Sequence, residues 1–161
     1  MLDRVLSGGQ TGADQAGGRA AKALKLATGG WMPQDFLTEA GPAFWLTDYG
    51  LAECPEPGYP ARRRRNVLAA ETMLLMGDQT TPGSRGLLSD WSRIRMGAAW
   101  GWVEPGVDTP RGIACFIRGV RLAGRPVASV LISGNRESLA PGIGARAERF
   151  MLAVFSRLAD G

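Results

Sequence analysis

The sequence predicts an α/β domain: three layers, with a mainly parallel sheet covered by helices on both faces. Three observations lead there. Short apolar runs of strand length alternate with longer stretches of helical period. The three clearest strands each end in a loop of Gly and small polar residues, SGGQTG, GDQTTPG and SGNRES. The chain has 161 residues, 45% hydrophobic and 21% charged, enough for one domain with a real core.

Taken in order, the first strand covers about residues 4 to 7. A helix follows over about 13 to 26, with Ala16, Ala20, Ala23 and Leu24 at helical spacing. The Gly- and Pro-rich stretch TGGWMPQDFLTEAGPAFW, beginning at Thr28, reads as loop and continues into PEPGYPARRRRN. A short helix spans Arg62 to Ala70, and the continuous apolar run TMLLMG makes a buried strand over 72 to 77. Ile113, Phe116, Ile117, Val120 and Leu122 suit a helix over 112 to 124, stopped by Gly124 before Pro126. VASVLIS, 127 to 133, is the strongest strand. The last helix runs from Gly142 to Leu158 on Ala147, Phe150, Met151, Val154, Phe155 and Leu158.

Residues 78 to 108 break this alternation and read as a Trp-rich insertion within a single domain over 1 to 161. They hold Trp91, Trp100 and Trp102 and a helical seam of Leu87, Leu88, Trp91, Ile94, Ala98 and Trp102. Exposing three Trp is costly, so the expected place is an oligomer interface or a cover over the ligand site.

Composition narrows the chemistry. The chain has no His, which excludes Ser-His-Asp and Cys-His nucleophile systems and His-containing metal sites. Cys54 and Cys115 make neither a disulfide framework nor a zinc site. The absence of a long apolar run or signal peptide predicts a cytoplasmic protein without a membrane partner. The net charge is +4, and 17 of the 19 basic residues are Arg, the side chain suited to phosphate and carboxylate forks. An anionic small-molecule partner fits that balance.

Ligands of open parallel sheets sit outside the carboxyl ends of the strands. The first loop there, SGGQTGADQAG, is either a tight strand-to-helix turn or a backbone cradle for an anion. Gly8, Gly9 and Gly12 let the amides approach a ligand, Gln10 and Thr11 lie among them, and the helix N-terminus adds partial positive charge. It lacks the spacing of a dinucleotide fingerprint and the Lys of a P-loop. Asp14 either complements the helix dipole or faces a ligand. Thr28, Gly29 and Gly30 form a second Gly-rich turn, read as a helix stop or as a second wall of the same cleft. In the run RRRRN, successive residues of a helix point about 100° apart, so few can face one cleft; Arg62 and Asn66 share a face. Asn135, Arg136, Glu137 and Ser138 follow the strongest strand, with Arg136 free to clamp a phosphate or to pair with a carboxylate.

In combination and in this order, SGGQTGADQAG, TGGWMPQDFLTEAGP, YGLAE, YPARRRRNV and SGNRESLAPGI resemble the molybdenum-cofactor carrier family. That family is a branch of the nucleotide-binding superfamily that includes the Lonely Guy and DNA-processing proteins. The resemblance implies a Rossmann-like fold, a homo-oligomer (dimer or tetramer) and binding of molybdenum cofactor as cargo, a pterin bearing a phosphate and a dithiolene-bound molybdenum. It places the ligand at Gly8, Gly9, Gly12, Asp14, Thr28, Gly29, Gly30, Arg62, Asn66, Arg136, Glu137 and Ser138, with Glu39 and Glu53 matching acidic positions of the pattern. Arg63, Gln34 and Ala70-Glu71 depart from it. So does the long passage from the central strand to TPRG at 109 to 112, where the family has a Gly-Ser/Thr turn.

Two other functions compete. A phosphoribohydrolase of the Lonely Guy type would need PGGxGTxxE, and TPRGIACFIR has neither its Gly run nor its Glu. A nucleic-acid module could use Arg62 to Arg65 with the Trp-rich segment; the helical period of that segment points to packing instead, so nucleic acid is not the expected partner.

Overall fold

The structure is a computed structural model and describes residues 2–160. Its elements are β1 (Arg4–Leu6), α1 (Ala13–Ala23), β2 (Ala27–Met32), β3 (Leu37–Thr38), β4 (Gly41–Pro42), β5 (Leu51–Glu53), α2 (Tyr59–Ala69), β6 (Thr72–Met76), α3 (Pro82–Ile94), β7 (Trp100–Val103), α4 (Pro110–Gly119), β8 (Arg121–Leu122), β9 (Arg125–Pro126), β10 (Ser129–Gly134) and α5 (Ile143–Ala159). Six strands form one sheet in the order β5-β2-β1-β10-β6-β7, parallel throughout. β3–β4 and β8–β9 are small antiparallel hairpins.

The expected three-layer α/β fold is present. Val5, Leu74, Met76, Val130 and Ile132 pack against α1, α4 and α5, and Leu6, Met73, Leu75 and Leu131 pack against α2 and α3. Alternate strand residues thus serve opposite faces, which is why β6 and β10 read as continuous apolar runs. Gly17 lets α1 lie directly on β10, since a Cβ there would sit 2.6 Å from Ile132 Cβ.

Counted outward from β10, the sheet runs one way through β1, β2 and β5 and the other way through β6 and β7. The reversal opens a crevice at the carboxyl ends of β1, β10 and β6, where ligands of such sheets bind.

Two expectations are corrected. The TGGW segment is a strand, β2, hydrogen-bonded in register with β1 and β5. Its glycines hid it: Gly30 lies at φ +136°, with the Ser7 carbonyl oxygen 2.0 Å from where a Cβ would stand, so close backbone contact takes the place of apolar side chains. Residues 78 to 108 are the unit that follows β6, made of α3 and the edge strand β7, and they continue the alternation. Leu87 and Trp91 bury on α3 as the seam predicted, but Ala98 and Trp102 lie beyond the helix, and Trp102 belongs to β7. Gly83-Ser84 stands in the first turn of α3.

Candidate functional site

A cleft opens at that crevice, walled by the loops after β1 and β10, by α2, and by the start of α3. Its floor is an ion pair. Arg62, on the face α2 turns to the sheet, reaches over Gly8 so that Nη1 stands 3.4 Å from Asp14 Oδ2. A Cβ on residue 8 would lie 1.5 Å from that Nη1, so the glycine is what makes room for the guanidinium. Asp14 in the first turn of α1 also accepts from Ser133 Oγ at 3.1 Å and from the Gln10 amide at 3.4 Å. Burial pushes the Asp14 carboxyl above its ordinary range despite Arg62, Ser133 and Gln10, and burial likewise lowers Arg62 against the pull of Asp14. The Nε of Arg62 is buried and has no hydrogen-bond partner.

The N-terminus of α3 forms the facing wall. Thr81 caps it, accepting from the Ser84 amide at 3.2 Å, and Pro82 sits in the first turn. Beyond its own helix, no atom lies within 4 Å of the point where a Gly83 Cβ would be, so the space beside Gly83 is open. Arg136 borders the cleft from the β10 loop and stands 3.9 Å from Glu39.

Of the residues expected at the site, Gly8, Gln10, Asp14, Arg62, Asn66, Asn135 and Arg136 line this cleft. Asn66 and Asn135 are also backbone clamps. Asn66 receives the Trp31 amide at 2.8 Å and donates to its carbonyl at 3.1 Å. Asn135 does the same for Asp78, at 2.6 and 3.2 Å, tying the β10 loop to the β6 loop. Asn135→Ala should therefore cost about 1 kcal/mol in chemical denaturation, because it removes two part-buried bonds between the loops while the Asp78 carbonyl keeps its bond from Ser84 Oγ.

Thr28, Gly29 and Gly30 lie along β2 and do not line the cleft, and Gly9 packs on Met32 and Leu51 beside β2. Gly12 (φ +80°) begins α1 so close to the β10 loop that a Cβ would lie 2.4 Å from the Asn135 carbonyl oxygen. Glu137 caps α5, accepting from the amides of Gly142 and, at 3.0 Å, Gly144. Thr11, Glu137 and Ser138 border a shallower depression on the α1–α5 side.

Glu39 has a legible role. It accepts from Thr11 Oγ1 and from the Ser138 amide and hydroxyl, while Gln10 Oε1 accepts the Glu39 amide at 3.0 Å. The excursion between β3 and β4 is thereby clipped to the first and last loops. Burial alone would raise the Glu39 carboxyl; hydrogen bonds from Ser138 and Thr11 outweigh it and hold it below its usual value. With a lowered folded-state pKa, the clip stabilises above the ordinary carboxylate range and is lost as pH falls through the lowered value. Glu39→Ala should cost about 1 kcal/mol or less at neutral pH, because these bonds are exposed to solvent, and still less in acid, read from urea midpoints at both.

Sequence reasoning missed Tyr59, Arg63, Thr81, Gly83, Ser84 and Ser133, all of which line the cleft. TTPGS held the signal, a Thr cap followed by Pro and then Ser at the third helical position. The four-Arg run is internally paired: Arg62 with Asp14, Arg63 and Arg64 with Asp90, and Arg65 with Glu56. It is therefore no free basic patch. Among the described residues no cluster of acidic residues, Cys and His could hold a metal ion.

With the cleft at the sheet reversal and the SGGQTG and SGNRES loops meeting over it, the family can be stated. The model of the circularly permutated YpsA SLOG family matches residues 5–155. The chain belongs to this family. In this member of the permutated YpsA family the last strand, β10, lies at the sheet centre beside the first. Its fold is similar to a crystal structure from Syntrophus aciditrophicus named "Putative molybdenum carrier protein", with a TM-score of 0.80 and 25% identity over 96% of this chain and 94% of the other. No curated protein matches the chain.

Proposed function

We propose that the protein binds, and stores or carries, molybdenum cofactor or a related phosphate-bearing pterin or nucleotide-like anion in the cleft at the carboxyl ends of β1, β10 and β6. One observation carries this reading: the Arg62 guanidinium, 15% exposed, and Gly83 at the start of α3 line the same cleft. The Nη groups of Arg62 and the Gly83 amide can both donate to an anion there, while the Ser84 and Arg85 amides are held by Thr81, which meets the requirement for holding an anion without covalent chemistry. The donor set suits phosphate and oxo groups. With no His and no metal-ligating cluster among the described residues, the cargo would be held through its organic and phosphate parts. The name of the structural neighbour points the same way.

The test is anaerobic titration of the purified protein with molybdenum cofactor, followed by its oxidation rate. Binding with slowed oxidation supports the reading; a cofactor that neither binds nor oxidises more slowly ends it. A second reading, a phosphoribohydrolase, draws on Asp14, a buried carboxyl with a raised pKa inside the cleft and thus a candidate acid. Glu137, the other acidic candidate, is engaged at the start of α5. Free base released from nucleoside monophosphates, and lost in Asp14→Asn, would favour that enzyme.

A further inference from the structure

The charge of this protein is unevenly placed. Residues 109 to 161 hold eight Arg and three carboxylates, whereas residues 1 to 108 carry 11 cations and 12 carboxylates. The C-terminal third therefore supplies all of the net positive charge. Of its three carboxylates, Glu137 caps α5 and Glu148 pairs with Arg19 on α1 at 2.6 Å, leaving only Asp160 at the end of the chain.

Arg125 pairs with Glu71 and Arg136 with Glu39, and five of the six other arginines, all but Arg121, have a common location. Arg111 and Arg118 lie about two turns apart on one face of α4. Arg146, Arg149 and Arg157, three and eleven residues on from the first, share one stripe of α5. α4 and α5 pack side by side, and Arg118 donates to the Arg157 carbonyl, so the helices run in parallel and the two stripes flank one seam. All five side chains are exposed, and among the described residues none has a carboxylate within salt-bridge distance. Arg146 and Arg157 also donate to the Pro141 and Ala153 carbonyls, at 3.2 and 2.9 Å, which orders the stems while leaving other N–H groups outward.

We propose that the α4–α5 seam is a docking surface for an acidic polypeptide segment of a partner protein. From Arg146 to Arg157 the stripe runs roughly 16 Å, about five residues of extended chain. Five guanidinium forks along that length match carboxylates of an Asp/Glu-rich segment two oxygens at a time. A second copy does not fit, because two such stripes would meet with like charge. Nucleic acid fits less well, since the only rings after residue 108 are Phe116, Phe150 and Phe155, half-buried or buried, and offer no stacking platform. The surface lies on the opposite side of the sheet from α2 and α3, so it is separate from the cleft and independent of the cargo reading.

The test is fluorescence anisotropy of a labelled Asp/Glu-rich peptide on the full chain at low and physiological salt. Arg111→Ser, Arg118→Ser and Arg149→Ser together should weaken binding about tenfold or more, with a shallower salt dependence. A control triple, Arg4→Ser, Lys25→Ser and Arg85→Ser, removes the same charge elsewhere and should change affinity by less than about twofold. Equal losses in the two triples would overturn the proposal, reducing the effect to net charge. An oligonucleotide that displaces the peptide at lower concentration would overturn it too, in favour of nucleic acid. Single variants at Arg111 and Arg149 should give smaller losses in the same direction. Cofactor titration of the seam triple should match the native chain, so failure here and failure of the cleft reading stay distinct.

Discussion

Arg62→Ala is expected to weaken binding of the proposed anionic cargo and to destabilise the fold together. The side chain is 15% exposed and its partner Asp14 4%, so removing the guanidinium leaves a buried carboxylate without its counter-charge. Breaking such a pair costs about 3 to 5 kcal/mol. Affinity for an anionic ligand should fall by about 100-fold, the loss of a charge-assisted contact in a desolvated cleft. The pH dependence identifies the cause. Burial already raises the Asp14 carboxyl, and without Arg62 its folded-state pKa rises further. A group with a raised folded-state pKa is tolerated when protonated, so the penalty is small below the ordinary carboxylate value and grows as pH rises through the folded one. Urea midpoints of native and variant chains should nearly converge in acid and separate at neutral pH. A constant gap across that range would mean that Asp14 is not the group left unpaired. Gly8→Ala should reproduce the binding defect, because its Cβ would occupy the place of Nη1.

Gly30→Ala is expected to give the largest loss among substitutions outside the cleft, about 3 kcal/mol or more in urea denaturation. Its φ of +136° is one that L side chains rarely adopt, and the added methyl would meet the Ser7 carbonyl oxygen at 2.0 Å and Asn66 Oδ1 at 3.1 Å. Ser7 opens the first loop and Asn66 clamps β2, so the strain also reaches Gly8 and Arg62. A cost below about 1 kcal/mol would show that β2 can shift away from β1 without strain.

How much was legible follows from what each segment uses to hold itself. TMLLM and VLIS were readable because a strand buried on both faces must be apolar throughout. The helices α1 and α5 were readable because one face keeps a helical period. β2 was not, since ATGGWM packs by backbone proximity and leaves little apolar pattern. α3 and β7 read as an insertion because apolar residues keep a helical period through Ala98 and Trp102, whereas Trp102 lies on β7 and is positioned by a bond from its indole to the Gly77 carbonyl at 2.7 Å. At the site, the sequence located the loops but could not assign their side chains. Asn135 and Glu137 follow directly on the β10 strand, yet one clamps a neighbouring loop and the other caps a helix.

By itself, then, the chain's order of apolar runs and glycine-bearing loops determined a parallel α/β sheet, its family likeness and the loops that meet at one edge of the sheet, because periodicity and turn chemistry are local. Which side chains line the cleft between those loops was decided only in three dimensions. Arg62 and Asp14 are 48 residues apart and meet because α2 and the start of α1 both face the loop after β1, where Gly8 leaves space for the guanidinium. Burial of that pair, and with it the charge and hydrogen-bonding capacity of the cleft, depends on the closed layers around it, which no local stretch of sequence contains.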